Sequence, residues 1–143
     1  MADMNERPIE PRTPMERANY LPAPAYFKLD HACQYINSAL GSFGSYLVGS
    51  STRRKDWRDV DVRYIMKNDL FDHLFPGIGD TNPSKCALWS LLCVMISDWL
   101  TNQTGLPIDF QIQRQDMANA KFKSADGHHR SALGIFLAYP GGG

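Results

Sequence analysis

The sequence predicts a small domain of the α/β (α+β) class, with a mixed sheet and flanking helices. Residues 59–66 and 107–113 alternate between apolar and polar side chains, as half-buried strands do. Residues 27–40 instead repeat apolar side chains at helical spacing, and residues 86–100 are almost continuously apolar. Because strands and helices share one chain of 143 residues, we expect a single domain with one hydrophobic core.

The N-terminal region differs in composition from the rest of the chain. Five of the nine prolines precede residue 25, and proline both fixes the backbone and removes a hydrogen-bond donor. A segment of this composition is typical of an extended or disordered arm. We therefore expect residues 1–25 to form a flexible arm and residues 26–140 to form the domain.

Glycine, proline and the apolar spacing divide the domain into elements. The apolar stretch 86–100 predicts a helix that is buried on more than one side. Loops are expected at residues 76–80 and 124–129, and residues 140–143 are expected to be flexible. In chain order the predicted elements are a helix over 27–40, a strand over 46–48, a strand over 59–66, a short helix over 69–75, a long helix from 82 to about 102, a strand over 107–113 and a last helix over 116–123.

Charge and cysteine content argue against several classes of protein. Fifteen basic and fifteen acidic residues give a formal net charge of zero, so the chain lacks the positive field of a nonspecific nucleic-acid binder. Its three cysteines lack a Cys-x-x-Cys pair, which argues against a disulfide framework and a zinc site. The sequence shows no signal-like N-terminus and no apolar run long enough to span a bilayer. We expect a cytoplasmic protein without a membrane partner.

Asp59 and Asp61 are the first candidate site residues. Side chains alternate between the two faces of a strand, so both carboxylates would lie on one face while the neighbouring valines enter the core. Two ionised carboxylates this close repel each other, and a shared proton or a bound cation relieves that repulsion. Mg²⁺, or Mn²⁺ in its place, is the cation that this arrangement favours. The alternative is a solvated strand end, in which Arg58 and Arg63 pair with the two aspartates.

A second group of candidates surrounds the end of the preceding strand at Gly49. A glycine there lets a phosphate approach the backbone, and the hydroxyls of Ser50 and Ser51 would lie beside the free N–H groups of a short helix. Arg53 follows in a basic turn, where phosphate contact and simple solvation are equally good explanations. Arg63 shares the face of the two aspartates, so it either neutralises them or clamps a phosphate, and we favour neutralisation slightly.

Together these motifs resemble the signature of the nucleotidyltransferase superfamily, in its polymerase-beta-like, minimal form. That signature is a strand ending in Gly-Ser, a short helix, and Asp-x-Asp on the next strand. The family also requires a third carboxylate on a later strand, and Asp109 matches it, on the polar face shared with Gln111 and Gln113. The resemblance covers roughly residues 28–113. The bulky turn 53–57 departs from the small residues of many relatives, and we expect no appended helical domain in a chain of this length.

The resemblance implies a metal-dependent nucleotidyltransferase that moves a nucleoside monophosphate from a nucleoside triphosphate to a hydroxyl acceptor. The acceptor, which is a protein, an RNA end or a small molecule, stays open, as does assembly into a homo-oligomer; small proteins of this type are familiar from bacteria and phages. The alternative is a catalytically inactive module of the same fold that binds or inhibits a protein partner. The resemblance assigns catalysis and Mg²⁺ binding to Asp59, Asp61 and Asp109, and phosphate positioning to Gly49 and Ser50. The neighbouring Ser51, Arg53 and Arg63 complete the set of candidate nucleotide-binding residues.

Overall fold

A four-stranded mixed sheet forms the centre of the chain in a computed structural model that describes residues 19–78, 82–121 and 130–135. Its strands are β1 (Gly44–Val48), β2 (Val60–Met66), β3 (Ile108–Arg114) and β4 (Ser131–Leu133). They lie in the order β3-β2-β1-β4. β1 pairs antiparallel with β2 and with β4, whereas β2 and β3 are parallel. The α+β class predicted from the sequence is therefore confirmed.

Helices connect the strands and cover the sheet. In the described chain they are α1 (Ala23–Leu40), α2 (Asn68–Leu74), α3 (Ala87–Thr104) and α4 (Gln115–Lys121), with single 3₁₀ turns at Ser50–Thr52 and Pro83–Lys85. α2 and α3 form the crossover that the parallel strands β2 and β3 require. Within the described ranges, none of the helices is both long and apolar enough to cross a lipid bilayer.

The hydrophobic core lies on one face of the sheet. Residues that pair across strands point to the same face, and the register aligns Leu47 with Val62 and Val62 with Phe110. All three side chains are buried, and Leu29 and Cys33 of α1 belong to the same cluster. α1 and α3 contact each other as well as the sheet. The other face of β2 and β3 is left for the polar residues of the alternating pattern.

The folded domain begins before residue 26, the position that the sequence predicted for its start. α1 begins at Ala23, with a proline in its first turn, where proline is well tolerated. Leu21 is buried, and Trp57 Nε1–H donates to the Tyr20 carbonyl at 3.1 Å. These N-terminal residues belong to the fold, and the rest of the expected arm, residues 1–18, lies outside the described residues.

The predicted burial of the long helix on more than one side is wrong. α3 packs one side against β3 and α1, whereas its outer side carries large apolar side chains that are 38–59 % exposed. An apolar pattern around a whole helix does not show how many elements pack against that helix. Here α3 packs beside β3, which is an edge strand of the described sheet, and this leaves its outer side exposed. The exposed apolar side chains of α3 are Leu88, Leu91, Val94, Met95 and Trp99.

The cysteines pack in or beside the core. Cys33, Cys86 and Cys93 are free thiols. Burial raises the pKa of the Cys33 thiol to about 12 and that of the Cys93 thiol to about 11. Both thiols are therefore protonated at neutral pH, where they act as small apolar side chains and not as nucleophiles.

Some predictions concern residues that the structure does not describe. The expected loop at 124–129 and the expected flexible end at 140–143 lie outside the described residues. The same is true of residues 79 and 80 in the expected loop after α2.

Side chains of α3 complete the hydrogen bonding of the edge strand β3. Ser97 Oγ accepts from the Phe110 N–H at 2.9 Å and donates to the Phe110 carbonyl at 3.3 Å. An edge strand otherwise presents unpaired backbone groups, so α3 covers the edge. Two further bonds of this kind join α3 and β3, from Ile108 N–H to Thr101 Oγ1 at 3.2 Å and from Trp89 Nε1–H to the Ile112 carbonyl at 2.8 Å.

Replacing Ser97 tests this contact. Ser97→Ala leaves the Phe110 N–H without its acceptor, so we expect a loss of about 1–3 kcal/mol in the free energy of unfolding and faster hydrogen exchange at that amide. Denaturant unfolding and exchange measurements give the two values. Asn102→Ala, at an exposed position of α3, is the control and should change stability by less than about 0.5 kcal/mol. Equal stability of the two variants would contradict the covering role of Ser97.

Candidate functional site

Asp61 and Asp109 lie beside each other on the parallel strands β2 and β3. They are register partners, and each is the second residue of its strand. Paired residues of neighbouring strands project from the same face, so the two side chains share one face of the sheet. The Asp61 side chain is 28 % exposed and that of Asp109 is 49 % exposed. Solvent therefore reaches both carboxylates, and Asp109 more than Asp61.

Arg63 lies between these carboxylates. Its Nη2 is 3.3 Å from Asp109 Oδ2 and 3.7 Å from Asp61 Oδ1. Its Nη1–H groups donate to the backbone carbonyls of Asp109 at 2.7 Å and Val62 at 3.1 Å. Because the residue is only 7 % exposed, the surrounding protein holds the guanidinium in this position. Of the two roles considered for Arg63, neutralisation of the aspartates is the one that these contacts match.

The surroundings of Asp61 raise the pKa of its carboxyl above the ordinary aspartate value. Burial is the largest cause, and the negative charges of Asp109 and Asp59 add to it, whereas the positive charges of Arg63 and Lys121 oppose it. A carboxyl whose pKa is higher in the folded state stabilises the fold when protonated, and this stabilisation is lost as the pH rises through the folded-state pKa. Aspartates whose pKa is raised by burial and by neighbouring negative charges are common at functional sites.

Asp59 lies outside strand β2, although the alternating pattern predicts that it shares a strand face with Asp61. It lies one residue before β2 begins and is exposed, so the alternation of the strand does not fix its direction. In the part of the chain that the structure describes, no cluster of three or more aspartate, glutamate, histidine or cysteine side chains could hold a metal ion. Asp59 acts on Asp61 through its charge, and the carboxylates that the fold brings together are Asp61 and Asp109.

The packing of Asp61 requires a glycine at position 49. The φ of +83° and ψ of −162° at Gly49 lie in a region that is open almost only to glycine. A Cβ added there would overlap Asp61 Oδ2 and would lie 3.1 Å from Asp61 Cγ. The close approach to this backbone that we had expected of a phosphate is therefore made by the Asp61 side chain.

The two serines after Gly49 differ in accessibility. Ser50–Thr52 form a single 3₁₀ turn instead of capping a longer helix. Ser50 is partly exposed, whereas Ser51 is fully buried and its carbonyl accepts from the Tyr20 N–H at 2.8 Å. The Ser51 side chain is therefore closed to a ligand that arrives from solvent, contrary to its expected role, and Ser50, next to Gly49, is the more accessible of the two serines.

The basic turn that follows is a surface feature. Arg53 is exposed at the end of the 3₁₀ turn. Its neighbour Arg54 donates from Nε to Asp56 Oδ1 at 2.9 Å, and both of these side chains are exposed. Part of the turn is thus engaged in a local ion pair, and the exposure of Arg53 is compatible with solvation as well as with phosphate contact.

Two adjoining cavities flank β3. The smaller, of about 380 Å³, is lined by Asp109 and Asp98 among others. The larger, of about 580 Å³, is lined by Gln113 and by several apolar side chains, and Trp89 and Gln111 line both cavities. The alternation of β3 put the two glutamines on the face of Asp109, but a strand pattern carries no sign of a cavity. Their position beside one was therefore missed from the sequence.

Comparisons of this chain with protein-family models, with curated proteins and with solved structures found no match in any of the three. The resemblance to nucleotidyltransferases therefore depends on the motif residues of the sequence.

Gly49→Ala tests the contact between Gly49 and Asp61. Backbone strain and overlap with the carboxylate both oppose the added methyl group, so we expect a loss of about 3 kcal/mol or more in the free energy of unfolding. Gly41→Ala is the matched control, because φ there is +59° but no atom lies within 4 Å of the added Cβ. Strain alone should cost this variant about 1–2 kcal/mol. Equal losses in urea denaturation would show that Asp61 does not press on Gly49.

Proposed function

We propose that this protein is a small metal-dependent nucleotidyltransferase, which transfers a nucleoside monophosphate from a nucleoside triphosphate to a hydroxyl acceptor. The observation that carries the proposal is the pairing of Asp61 with Asp109 across parallel strands, with the backbone of Gly49 packed against Asp61. Two carboxylates beside a tight turn with an accessible hydroxyl form a suitable set of oxygen ligands for a metal-bound phosphate.

The sheet topology supports the same proposal. β1 ends next to Gly49 and Ser50, its antiparallel neighbour β2 carries Asp61, and β3, parallel to β2, carries Asp109. The sequence motif calls for this succession of a Gly-Ser turn and two acidic strands.

The residues present suit Mg²⁺ in company with phosphate. Mg²⁺ is commonly bound by one or two carboxylates together with phosphate oxygens of a substrate, and seldom by a cage made of protein groups alone. Asp61 and Asp109 would supply those two carboxylates, and Arg63 would remain beside them as a fixed positive charge. When bound, the ion would neutralise negative charge on the triphosphate.

The protein takes little direct covalent part in the transfer step. The acceptor oxygen forms a bond to the α-phosphorus, the bond to the bridging oxygen breaks, and pyrophosphate leaves with that electron pair. Asp109 takes the proton of the acceptor hydroxyl, because it is the more exposed carboxylate of the pair. The acceptor is a protein, an RNA end or a small hydroxylated molecule.

A second candidate is a non-catalytic module of the same fold that acts through protein contacts. Two observations favour it. Arg63 already occupies the space between Asp61 and Asp109, and Asp59 lies outside the strand. In addition, the outer side of α3 exposes large apolar side chains, and a surface of this kind is common at protein interfaces.

Calorimetry separates the two candidates without knowledge of the acceptor. Each of the four ribonucleoside triphosphates is titrated with Mg²⁺ into wild type, Asp61→Asn, Asp109→Asn and the control Asp69→Asn, which alters an exposed aspartate of α2. We expect saturable binding of at least one triphosphate that requires Mg²⁺, a loss of about tenfold or more in affinity in the first two variants, and wild-type affinity in the control.

Two results would count against the transferase. Absence of binding by wild type would favour the non-catalytic module. Wild-type affinity in Asp61→Asn and Asp109→Asn would show that the triphosphate binds elsewhere.

A further inference from the structure

We propose that the larger cavity beside β3 binds the nucleobase of the nucleotide. The proposal rests on the function proposed above and adds to it the site that would recognise the base. The cavity measures about 580 Å³ and lies between the start of α3 and α4. Sites for small molecules commonly have volumes of about 300–1,000 Å³.

The walls of this cavity suit a flat ring. Phe71, Trp89 and Met117 line it with two aromatic rings and a flexible thioether. Aromatic faces and methionine sulfur pack well against planar heterocycles, and Trp89 is held in place by its hydrogen bond to the Ile112 carbonyl. A ring inserted between these side chains would be removed from water on both faces.

Gln113 lines the cavity and has an unfilled hydrogen-bonding group. Its Oε1 is buried and has no hydrogen-bond partner among the described residues. A buried acceptor of this kind is unfavourable unless a donor reaches it, so a rotation of the side chain towards a ligand would relieve it. Gln111 lines the same cavity, so the lining residues include two amide groups, which between them offer donors and acceptors. The edge of a nucleobase, with ring or amino N–H groups next to acceptor atoms, matches this chemistry.

The cavity also lies at a suitable distance from the carboxylates. Asp109, Gln111 and Gln113 share one face of β3, so they are spaced at about 7 Å intervals, since a parallel strand rises about 3.3 Å per residue. The smaller cavity contains Asp109 and shares Trp89 and Gln111 with the larger one. A nucleotide whose phosphates lie at Asp61 and Asp109 would therefore extend its sugar past Gln111 and its base towards Gln113.

The charged residues around the cavity are consistent with this orientation. Lys121 lines the cavity and its positive charge acts on Asp61, so it lies on the side where the phosphates would be. Arg114 also lines the cavity, but Asp72 and Asp116 hold its guanidinium in ion pairs. Arg114 is therefore a fixed part of the wall, and the base end of the cavity has no additional phosphate site.

The test uses nucleosides, which carry a base and a sugar but no phosphate. Adenosine, guanosine, cytidine and uridine are each titrated, without metal, into ¹⁵N-labelled protein, and amide shifts are followed by NMR. The variants are Gln113→Leu, which removes the amide, and Met117→Trp, which fills the cavity from a partly exposed position. Gln103→Leu, at an exposed position of α3, is the matched control.

We expect at least one nucleoside to bind saturably and to shift the amides of Gln111, Gln113 and Met117. Binding should weaken by about tenfold in Gln113→Leu and should be lost in Met117→Trp, while Gln103→Leu keeps wild-type affinity. The proposal is overturned if no nucleoside shifts these amides, or if Met117→Trp binds as wild type does.

The two proposals fail in different ways. If nucleosides bind in the cavity but metal-dependent binding of triphosphates is absent, the cavity is a base site without a transferase. If triphosphates bind through Asp61 and Asp109 while Met117→Trp leaves their affinity and base preference unchanged, the cavity proposal is wrong and the proposed function stands.

Discussion

The buried guanidinium of Arg63 is the group on which the candidate site depends. Parallel strands lie about 4.8 Å apart, so two ionised carboxylates at that separation would repel by roughly 3.5 kcal/mol at an effective dielectric constant of about 20. Arg63 offsets this repulsion with one nitrogen between Asp61 and Asp109, and its second terminal nitrogen is bound to backbone carbonyls of both strands. The same side chain thus joins β2 to β3 and allows the two acids to face solvent together.

Arg63 neutralises only part of the carboxylate charge at this site, and the neighbouring segments hold Asp61 and Asp109 in place. When both carboxylates are ionised, Asp61, Asp109 and Arg63 together carry a net negative charge, to which Asp59 adds and which Lys121 opposes. A cation that brings its own phosphate oxygens would suit such a group. Gly49 allows Asp61 to pack against the end of β1, and α3 fixes β3 by hydrogen bonds to its outer edge.

Local patterns predicted much of the fold and part of the site. Alternation identified β2 and β3 and the polar face of each strand, on which Asp61 and Asp109 lie, because strand geometry is a property of consecutive residues. Contacts between distant segments were not predictable in this way. β4 was missed because it has three residues and is anchored by α1, where Asn37 Nδ2–H donates to the Leu133 carbonyl and Asp30 accepts from Gly134 N–H. The burial of Ser51 likewise depends on contact with the segment around residue 20.

Paramagnetic NMR would test most directly whether Asp61 and Asp109 form a metal–triphosphate site. Mn²⁺ is added in small steps to ¹⁵N-labelled protein that is saturated with a non-hydrolysable triphosphate analogue, and the loss of amide signals is followed. We expect the signals of Gly49, Asp61 and Asp109 to disappear first. Persistence of these signals, or earlier loss at Asp72 and Asp116 beyond the other end of β3, would contradict it.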